Sequence, residues 1–295
     1  MSAGESAVSI RHSSGAVPPL TLLRQGIQEI LSRRRLIRYL VAAEMKKRGS
    51  DTVLGNLWWI LDPLLQMVVY VIFITVISKR PAPDYPLFIF AAILPWKWYS
   101  AVVGDATNAV VLQATLIRQI AFPKIVLPVA TATAGVVGFA WGMIPLAGLF
   151  LLHPTRISVE VLWIPVIAVV QYVFTLASAV IVSALNVYFR DLGNAIQHLL
   201  RLWWFLSPGL YSLSSLLDTD TVKHHPILGT IASANPFSIL FEAYRAVIYG
   251  DADGVGPPHA PDLAALFYLL LASFVFLGVC IMFFKRLEPD FAKVL

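Results

Sequence analysis

The chain has 295 residues, of which 58% are hydrophobic and only 13% charged, and its mean hydropathy is +0.75. Soluble domains are close to half apolar and a quarter charged, so this composition excludes a soluble globular domain and indicates lipid as the solvent. The single cysteine, Cys280, excludes a disulfide framework. The net charge of +5 lacks the aromatic-interleaved basic face of a nucleic-acid binder, so no nucleic-acid partner is expected.

The first 50 residues precede any membrane span. Residues 1–20 are polar, lack the apolar core of a signal peptide and are predicted to form a disordered cytoplasmic tail. Residues 21–50 combine an apolar stripe at helical spacing with a set of cations. A basic amphipathic segment directly before a span is typical of a helix that lies in the membrane interface. The sequence therefore predicts an amphipathic interface helix over 21–50.

The remainder of the chain, 51–295, is predicted to be a transmembrane domain with six spans. Each apolar run is long enough to cross a hydrocarbon core of ~30 Å. The six spans lie near 57–78, 87–112, 125–152, 159–185, 195–216 and 262–284. The predicted fold class is an all-α membrane protein with six transmembrane helices.

The distribution of Lys and Arg predicts the orientation. With the N-terminus inside, sixteen of the 22 cations fall on the cytoplasmic side, five fall outside, and Lys97 lies within a span. Cytoplasmic segments of membrane proteins are enriched in these residues, so both termini are expected in the cytoplasm. The count places Arg201 among the cytoplasmic cations and Arg156 and Arg245 among the outside ones.

The external stretch 217–261, between spans five and six, is long and not fully polar. Within it, Asn235 and Pro236 are typical of an N-cap and a first helical residue. The amphipathic segment that follows is too short to span a membrane and is expected to end at Gly250. We therefore predict external re-entrant helices at this place.

Charged residues inside membrane spans are candidates for function. Asp62 precedes Pro63 and is interpreted as an N-cap at which the first span restarts its helix. Lys97 either snorkels or pairs with another polar group, or it lines a wet pathway, and both interpretations stay open. No Gly-Lys pair occurs, so the chain has no P-loop for ATP. No metal site and no catalytic residue are predicted.

Aromatic and small residues stand out within the spans. Aromatic rings at span ends anchor membrane proteins at the interface, but rings well inside a span, such as Tyr70 and Phe73, could stack on sugar faces. Gly138 and Gly142 predict close packing between two helices.

Six short motifs, in this order and topology, resemble those of the ABC-2 type permeases, the membrane subunits of ABC exporters for O-antigen, teichoic acid, capsule and related polysaccharides. The resemblance covers roughly residues 30–295. The motifs are Arg48-Gly49-Ser50 with Leu54-Gly55 and Trp58; Ile93-Leu94-Pro95-Trp96; Leu116-Ile117-Arg118 with Ala121-Phe122-Pro123-Lys124; Asn186-Val187-Tyr188-Phe189-Arg190-Asp191; Ser207-Pro208 with Tyr211; and Asn235-Pro236 with Tyr244-Arg245. The chain departs from the family pattern at Asp62, where Asn is frequent, and at Lys97, where a neutral residue is usual.

The resemblance implies a homodimeric permease of the bacterial cytoplasmic membrane that binds two copies of a separate ATPase subunit. ATP and Mg²⁺ would belong to that subunit, and this chain would hold no cofactor and would not be an enzyme. The substrate would be an undecaprenyl- or decaprenyl-linked polysaccharide. Residues expected to couple to the ATPase are Arg118, Phe122, Pro123, Lys124, Arg190 and Asp191. Residues expected to line the channel are Trp58, Trp59, Tyr70, Phe73, Trp96, Lys97, Trp203, Trp204 and Phe205. Residues expected at the gate are Asn235, Pro236, Tyr244 and Arg245.

Three alternatives remain open at this point. A membrane glycosyltransferase would use two Asp-x-Asp triplets, 218–220 and 251–253, which the predicted topology places outside. An ion-driven flippase would need Asp62 and Lys97 as titrating groups. A drug-exporting ABC-2 relative would handle apolar substrates. Among polysaccharides, O-antigen, teichoic acid and mycobacterial galactan are all compatible with the sequence.

Overall fold

The computed structural model describes residues 18–50, 54–78, 83–252 and 254–295, without the side chains of 47–50, 56 and 78, and these residues contain helices and no strand. The helices are α1 (Pro19–Ser32), α2 (Arg34–Ser50), α3 (Trp58–Ser78), α4 (Tyr85–Ala109), α5 (Ala114–Gln119), α6 (Val126–Leu152), α7 (Ile164–Tyr188), α8 (Leu192–Leu206), α9 (Leu213–Leu217), α10 (Asp220–His224), α11 (Pro226–Ala234), α12 (Pro236–Ile248), α13 (Leu263–Leu287) and α14 (Phe291–Val294). The all-helical prediction is confirmed for this part of the chain.

The N-terminal segment forms two helices where one was predicted. Residues 1–17 of the predicted tail lie outside the described ranges, and α1 already begins at Pro19. A turn at Arg33 separates α1 from α2, next to the point where Arg34 interrupts the apolar stripe. Because of this break, α1 packs against α13 and α2 packs against α6. Their location in the membrane interface stays a prediction.

Five segments of the described chain are long and apolar enough to cross a membrane: Trp58–Ile77, Tyr85–Gln119, Val126–Leu152, Val159–Tyr188 and Leu263–Val294. They coincide with the first, second, third, fourth and sixth predicted spans. The chain is therefore a multi-pass membrane protein. Its orientation stays a prediction.

The predicted fifth span, 195–216, is wrong in its extent. Helix α8 ends at Leu206, and Ser207 continues in an extended conformation into Pro208 and Gly209. Proline lacks the N–H that would continue the helical hydrogen bonds, and the preceding residue is driven out of the helical region. A helix of 15 residues rises about 22 Å, less than the thickness of a hydrocarbon core. The crossing of the bilayer by α8 stays a prediction.

Helix α4 is the centre of the bundle. It packs against α3, α6, α7, α8 and α12, and α7 packs against α13 on the far side. Helix α12 is buried along most of its length although it is too short to span. Helix α3 has the opposite character, because one of its faces exposes large apolar residues such as Val69, Phe73 and Val76. This exposed face adjoins a cleft in the bundle.

Arg156, counted above among the outside cations, is buried in the structure. Its guanidinium pairs with the Asp84 carboxylate at 3.0 Å and donates to the carbonyl oxygens of Tyr249, Gly254 and Gly256 at 2.9, 2.5 and 2.8 Å. It therefore ties the start of α4 to the loop that follows α12.

Candidate functional site

A cleft of about 820 Å³ lies between α3, α4, α6 and α8. Ligand sites in proteins commonly have volumes of this order. The lining combines aromatic rings, small residues and charged or amide side chains. It includes Trp58, Trp59, Asp62, Gln66, Tyr70, Trp96, Lys97, Trp98, Ser100, Asp105, Gly138, Gln197, Arg201, Trp204 and Phe205.

Aromatic rings from three helices meet on one side of the cleft. The ring centroids of Trp96 in α4 and Trp204 in α8 are 5.5 Å apart, and Trp204 stacks on Tyr70 of α3 at 5.8 Å. These separations are typical of aromatic rings in direct contact. The exposed rings of Trp58 and Phe205 also belong to the cleft lining. The cleft wall therefore contains a group of three contacting rings and further aromatic rings elsewhere.

Two glycines of α6 allow the wall to pack tightly. A Cβ atom built on Gly138 would overlap the Trp59 ring, and one built on Gly142 would overlap the Leu94 side chain. Both contacts would be closer than real atoms allow, and at Gly138 the obstacle is a rigid ring, so that position requires glycine or a shift of the indole. The predicted close packing is confirmed, and it places the Trp59 indole directly against α6.

The substitution Gly138→Ala should displace the Trp59 indole and destabilise the protein by about 1–3 kcal/mol, the usual cost of overpacking. Thermal unfolding in detergent would measure the loss. Gly148→Ala is the matched control, because nothing lies within 4 Å of a Cβ at that position of the same helix. Equal unfolding temperatures for the two variants would contradict the packing argument.

Asp62 and Lys97 form an ion pair that joins α3 to α4 in the cleft wall. The interpretation of Asp62 as an N-cap is wrong, because α3 begins at Trp58 and runs unbroken through Pro63. Lys97 is paired with Asp62 and lies in the cleft lining, and a wet pathway along it stays a prediction. The Asp62 and Lys97 side chains are 59% and 31% exposed, so the ion pair is open to the cleft.

The cleft contains seven of the nine residues predicted to line the channel: Trp58, Trp59, Tyr70, Trp96, Lys97, Trp204 and Phe205. Phe73 and Trp203 are not in its lining. Phe73 is exposed on α3. The ring of Trp203 packs against Phe237 at 5.4 Å, and its Nε1 donates to the Asn235 side-chain oxygen at 3.2 Å. The role of these residues in transport stays a prediction.

The predicted coupling residues lie in two connecting segments. Segment 113–124 contains the six-residue helix α5, with Arg118 exposed and Phe122, Pro123 and Lys124 half-buried behind it. Arg190 and Asp191 are exposed in the tight turn between α7 and α8. Their exposure makes both segments available to another protein.

A buried ion cluster, missed by the sequence analysis, supports the first of these segments. Lys285 of α13 pairs with Glu29 of α1 at 2.8 Å and with Glu288 at 2.5 Å. The other carboxylate oxygen of Glu288 accepts the backbone N–H of Lys124 at 2.5 Å. The Lys285 and Glu288 side chains are only 11% and 6% exposed. This cluster joins α1, α13 and the end of segment 113–124.

The second segment rests on the C-terminal end of the chain. The Tyr188 hydroxyl donates to the Leu287 carbonyl oxygen at 3.2 Å, and the Tyr188 ring lies 6.2 Å from the buried Phe291 ring. Helix α14, which carries Phe291, also contacts α5. The C-terminal residues therefore contact both segments.

Asn235 begins α12 as predicted. Its side-chain oxygen accepts the Phe237 N–H at 3.1 Å, and its amide nitrogen donates to the Ser207 hydroxyl at 2.8 Å. Pro236 occupies the first helical position, and Gly250 has a φ of +100° where the segment ends. Asn235 thus links the start of α12 to the break after α8.

Arg245 is fully enclosed, although the charge count places it outside. Its guanidinium donates to the carbonyl oxygens of Pro208, Gly209 and Tyr211 at 2.7, 2.5 and 3.0 Å. It also pairs with Glu242 at 3.3 Å. Burial lowers the pKa of Arg245 to about 10, and the Glu242 charge opposes that shift, so the side chain stays charged at neutral pH. Arg245 holds the chain reversal after α8, and the neighbouring Tyr244 is also fully buried.

The Asp-x-Asp triplets have partners elsewhere. Asp218 pairs with Lys223 at 3.5 Å, and Asp251 lies 3.4 Å from the His259 ring. Asp253 lies outside the described residues. Nothing in this arrangement favours a glycosyltransferase.

Residues 35–249, which contain the cleft and both connecting segments, match the ABC-2 type transporter family. The chain belongs to the ABC-2 type transporter family. This confirms the resemblance inferred from the six motifs. The family's members are transmembrane subunits and generally not catalytic.

Three curated proteins are similar to this chain over most of its length. It is 32% identical over 267 residues to the O-antigen export system permease protein RfbA of Myxococcus xanthus, covering 90% of this chain and 98% of that protein. It is 25% identical over 253 residues to a permease of the same name from Klebsiella pneumoniae, covering 85% and 92%. A further Klebsiella pneumoniae RfbA is 26% identical over 194 residues, covering 64% and 74%.

Proposed function

We propose that this chain is the transmembrane subunit of an ATP-driven exporter that moves a lipid-linked polysaccharide from the cytoplasmic to the outer side of a bacterial inner membrane. The observation that carries the proposal is the similarity to the Myxococcus xanthus O-antigen export permease, which covers 98% of that protein. Membership of the ABC-2 type transporter family, whose transport is driven by ATP, also favours this function over an ion-driven flippase.

The chemistry of the cleft supports a carbohydrate substrate. Aromatic side chains stack on the apolar faces of sugar rings without being specific for any one sugar. Two lining indoles, Trp98 and Trp204, have N–H groups that are buried and find no acceptor among the described residues. A buried donor without an acceptor costs about 1–3 kcal/mol. A wider cleft would present both donors to the hydroxyl groups of a glycan.

The exporter would contain two copies of this chain and two copies of a separate ATPase subunit, with both termini of the permease in the cytoplasm. ATP and Mg²⁺ would be held by the ATPase, because this chain has no P-loop. Segments 113–124 and 186–194 would dock on the ATPase. Closure of the ATPase dimer on ATP would move these segments and bias the helices toward a second arrangement. The lipid, an undecaprenyl or decaprenyl chain, would stay in the bilayer while the sugars pass.

Co-purification tests this proposal. The chain is expressed together with the ABC ATPase encoded beside its gene, and the molecular mass of the purified complex is measured in detergent. We expect a two-plus-two assembly that hydrolyses ATP. A chain that purifies without any ATPase would refute the proposal. An assembly stimulated by apolar drugs and not by lipid-linked glycan would identify a drug exporter of the same family.

A further inference from the structure

Arg201 carries a positive charge in the cleft without a neutralising partner. The charge count assigned it to the cytoplasmic side, but it lies on α8 in the cleft wall. Arg201 makes no ion pair or hydrogen bond to any residue that the structure describes. Of the other charged residues in the wall, Lys97 binds Asp62, and Asp105 has an interaction of its own.

Two contacts locate Arg201 along the cleft. A Cβ built on Gly104 of α4 would lie 2.7 Å from the Gln197 amide nitrogen, so Gln197 covers Gly104. One turn beyond Arg201, Trp204 packs on Trp96 of α4. Residues four and three apart share a helix face, so Arg201 lies opposite the α4 segment 97–101. That segment contributes the Lys97 side chain and the Ser100 hydroxyl to the same wall.

Arg201 is an exposed residue in the lining of the cleft, so its guanidinium is accessible to a ligand that enters the cleft. A guanidinium offers a planar set of donors that matches the oxygens of a phosphate or carboxylate. The adjacent wall is aromatic and suits a sugar.

We propose that Arg201, with Ser100 across the cleft, is a binding position for an anionic group carried by the exported glycan. The group is a phosphoryl or carboxylate group, supplied either by the lipid phosphate or by an acidic sugar. Asp62 keeps Lys97 neutralised, so Arg201 is the cation in the described wall that is available to the ligand. This inference rests on the proposed export function and deepens it by naming a substrate charge.

The test uses the full chain in phosphatidylcholine nanodiscs and measures binding of inorganic pyrophosphate and of D-glucuronate by equilibrium dialysis. Arg201→Gln should weaken binding of the anion by about tenfold or more, since a charge-assisted hydrogen bond is lost. The affinity of Arg201→Lys should lie between those of the wild type and Arg201→Gln, because lysine keeps the charge but lacks the planar set of donors. Arg286→Gln is the matched control, an exposed cation outside the cleft, and should bind as the wild type does.

A thermal unfolding measurement separates this role from a structural one. Arg201→Gln should unfold at the same temperature as the wild type, because Arg201 is exposed and makes no ion pair or hydrogen bond among the described residues. Binding of pyrophosphate alone identifies a phosphoryl group, and binding of both anions identifies acidic sugars as well. The site is refuted if neither anion binds saturably, or if Arg201→Gln binds as tightly as the wild type. A chain that assembles with its ATPase but binds neither anion would refute only the site, whereas an anion-binding chain without an ATPase partner would refute only the exporter.

Discussion

Replacing Arg245 with methionine should destabilise the end of the bundle that contains α8 to α12. The guanidinium is 2% exposed and is the donor for the carbonyl oxygens of Pro208, Gly209 and Tyr211, with a longer bond to that of Phe88. Methionine fills similar space but leaves these oxygens buried without a donor. At about 1–3 kcal/mol for each of the three loop oxygens, those of Pro208, Gly209 and Tyr211, the loss should reach at least about 3 kcal/mol. That is a large fraction of the total stability of a typical protein, about 5–15 kcal/mol.

Thermal unfolding in detergent and limited proteolysis after residue 206 would measure this effect. Arg245→Lys keeps the charge but cannot reach several carbonyl oxygens at once, so it should recover only part of the loss. Lys223→Met removes an exposed cation and should change little, because surface ion pairs contribute about 0–1 kcal/mol. If Arg245→Met unfolds at the wild-type temperature, the Arg245 guanidinium does not hold the chain reversal.

The long spans could be predicted because hydropathy alone determines them. The predicted spans 57–78 and 125–152 differ from α3 and α6 by a single residue at one end. The fifth span could not be predicted in the same way. Pro208 marks the end of α8, but the conformation of the reversal at 208–211 is held by Arg245, a residue 34 or more positions away, which no local pattern reveals.

Adjacent residues show a second limit of sequence reasoning. Trp203 and Trp204 were predicted together as channel-lining residues. Successive residues on a helix point about 100° apart, so only one of them can face the cleft. The packing of α8 on α4 and α7 decides which, and it places Trp204 in the cleft lining and Trp203 against Asn235 and Phe237.

The charged clusters show a third limit, because their members are far apart in sequence. Glu29 and Lys285 are separated by 256 positions, and no local pattern links them. No sequence pattern pairs Asp62 with Lys97 either, since each stands out only as a charge within a span. The charge count places Arg201 on the cytoplasmic side from its position in the chain alone. Only the packing of α8 shows that Arg201 lines a cleft.

Replacing Lys285 with methionine should loosen the attachment of segment 113–124 to the bundle. The ammonium group separates two carboxylates, those of Glu29 and Glu288, and is 11% exposed. Without it, the buried Glu288 carboxylate and the half-buried Glu29 carboxylate lose their shared cation and lie near each other. Removal of one member of a buried ion pair costs about 3–5 kcal/mol, so the unfolding temperature should fall clearly. Hydrogen exchange of the backbone over 114–124 should accelerate, since the Lys124 N–H is bonded to Glu288.

The same chain supplies the control. Lys293 pairs with Asp290 at the same three-residue spacing as Lys285 with Glu288, but Lys293 and Asp290 are 79% and 54% exposed. Lys293→Met should therefore leave both stability and exchange nearly unchanged. The triple change Glu29→Gln, Lys285→Met, Glu288→Gln should restore much of the stability, because no buried charge is left and the new amide side chain at position 288 keeps an oxygen for the Lys124 N–H. If Lys285→Met exchanges and unfolds like Lys293→Met, the cluster does not anchor the segment. If the cluster does anchor segment 113–124, then under the proposed function the movement of the ATPase would reach α1 and α13 through the side chains of Glu29, Lys285 and Glu288.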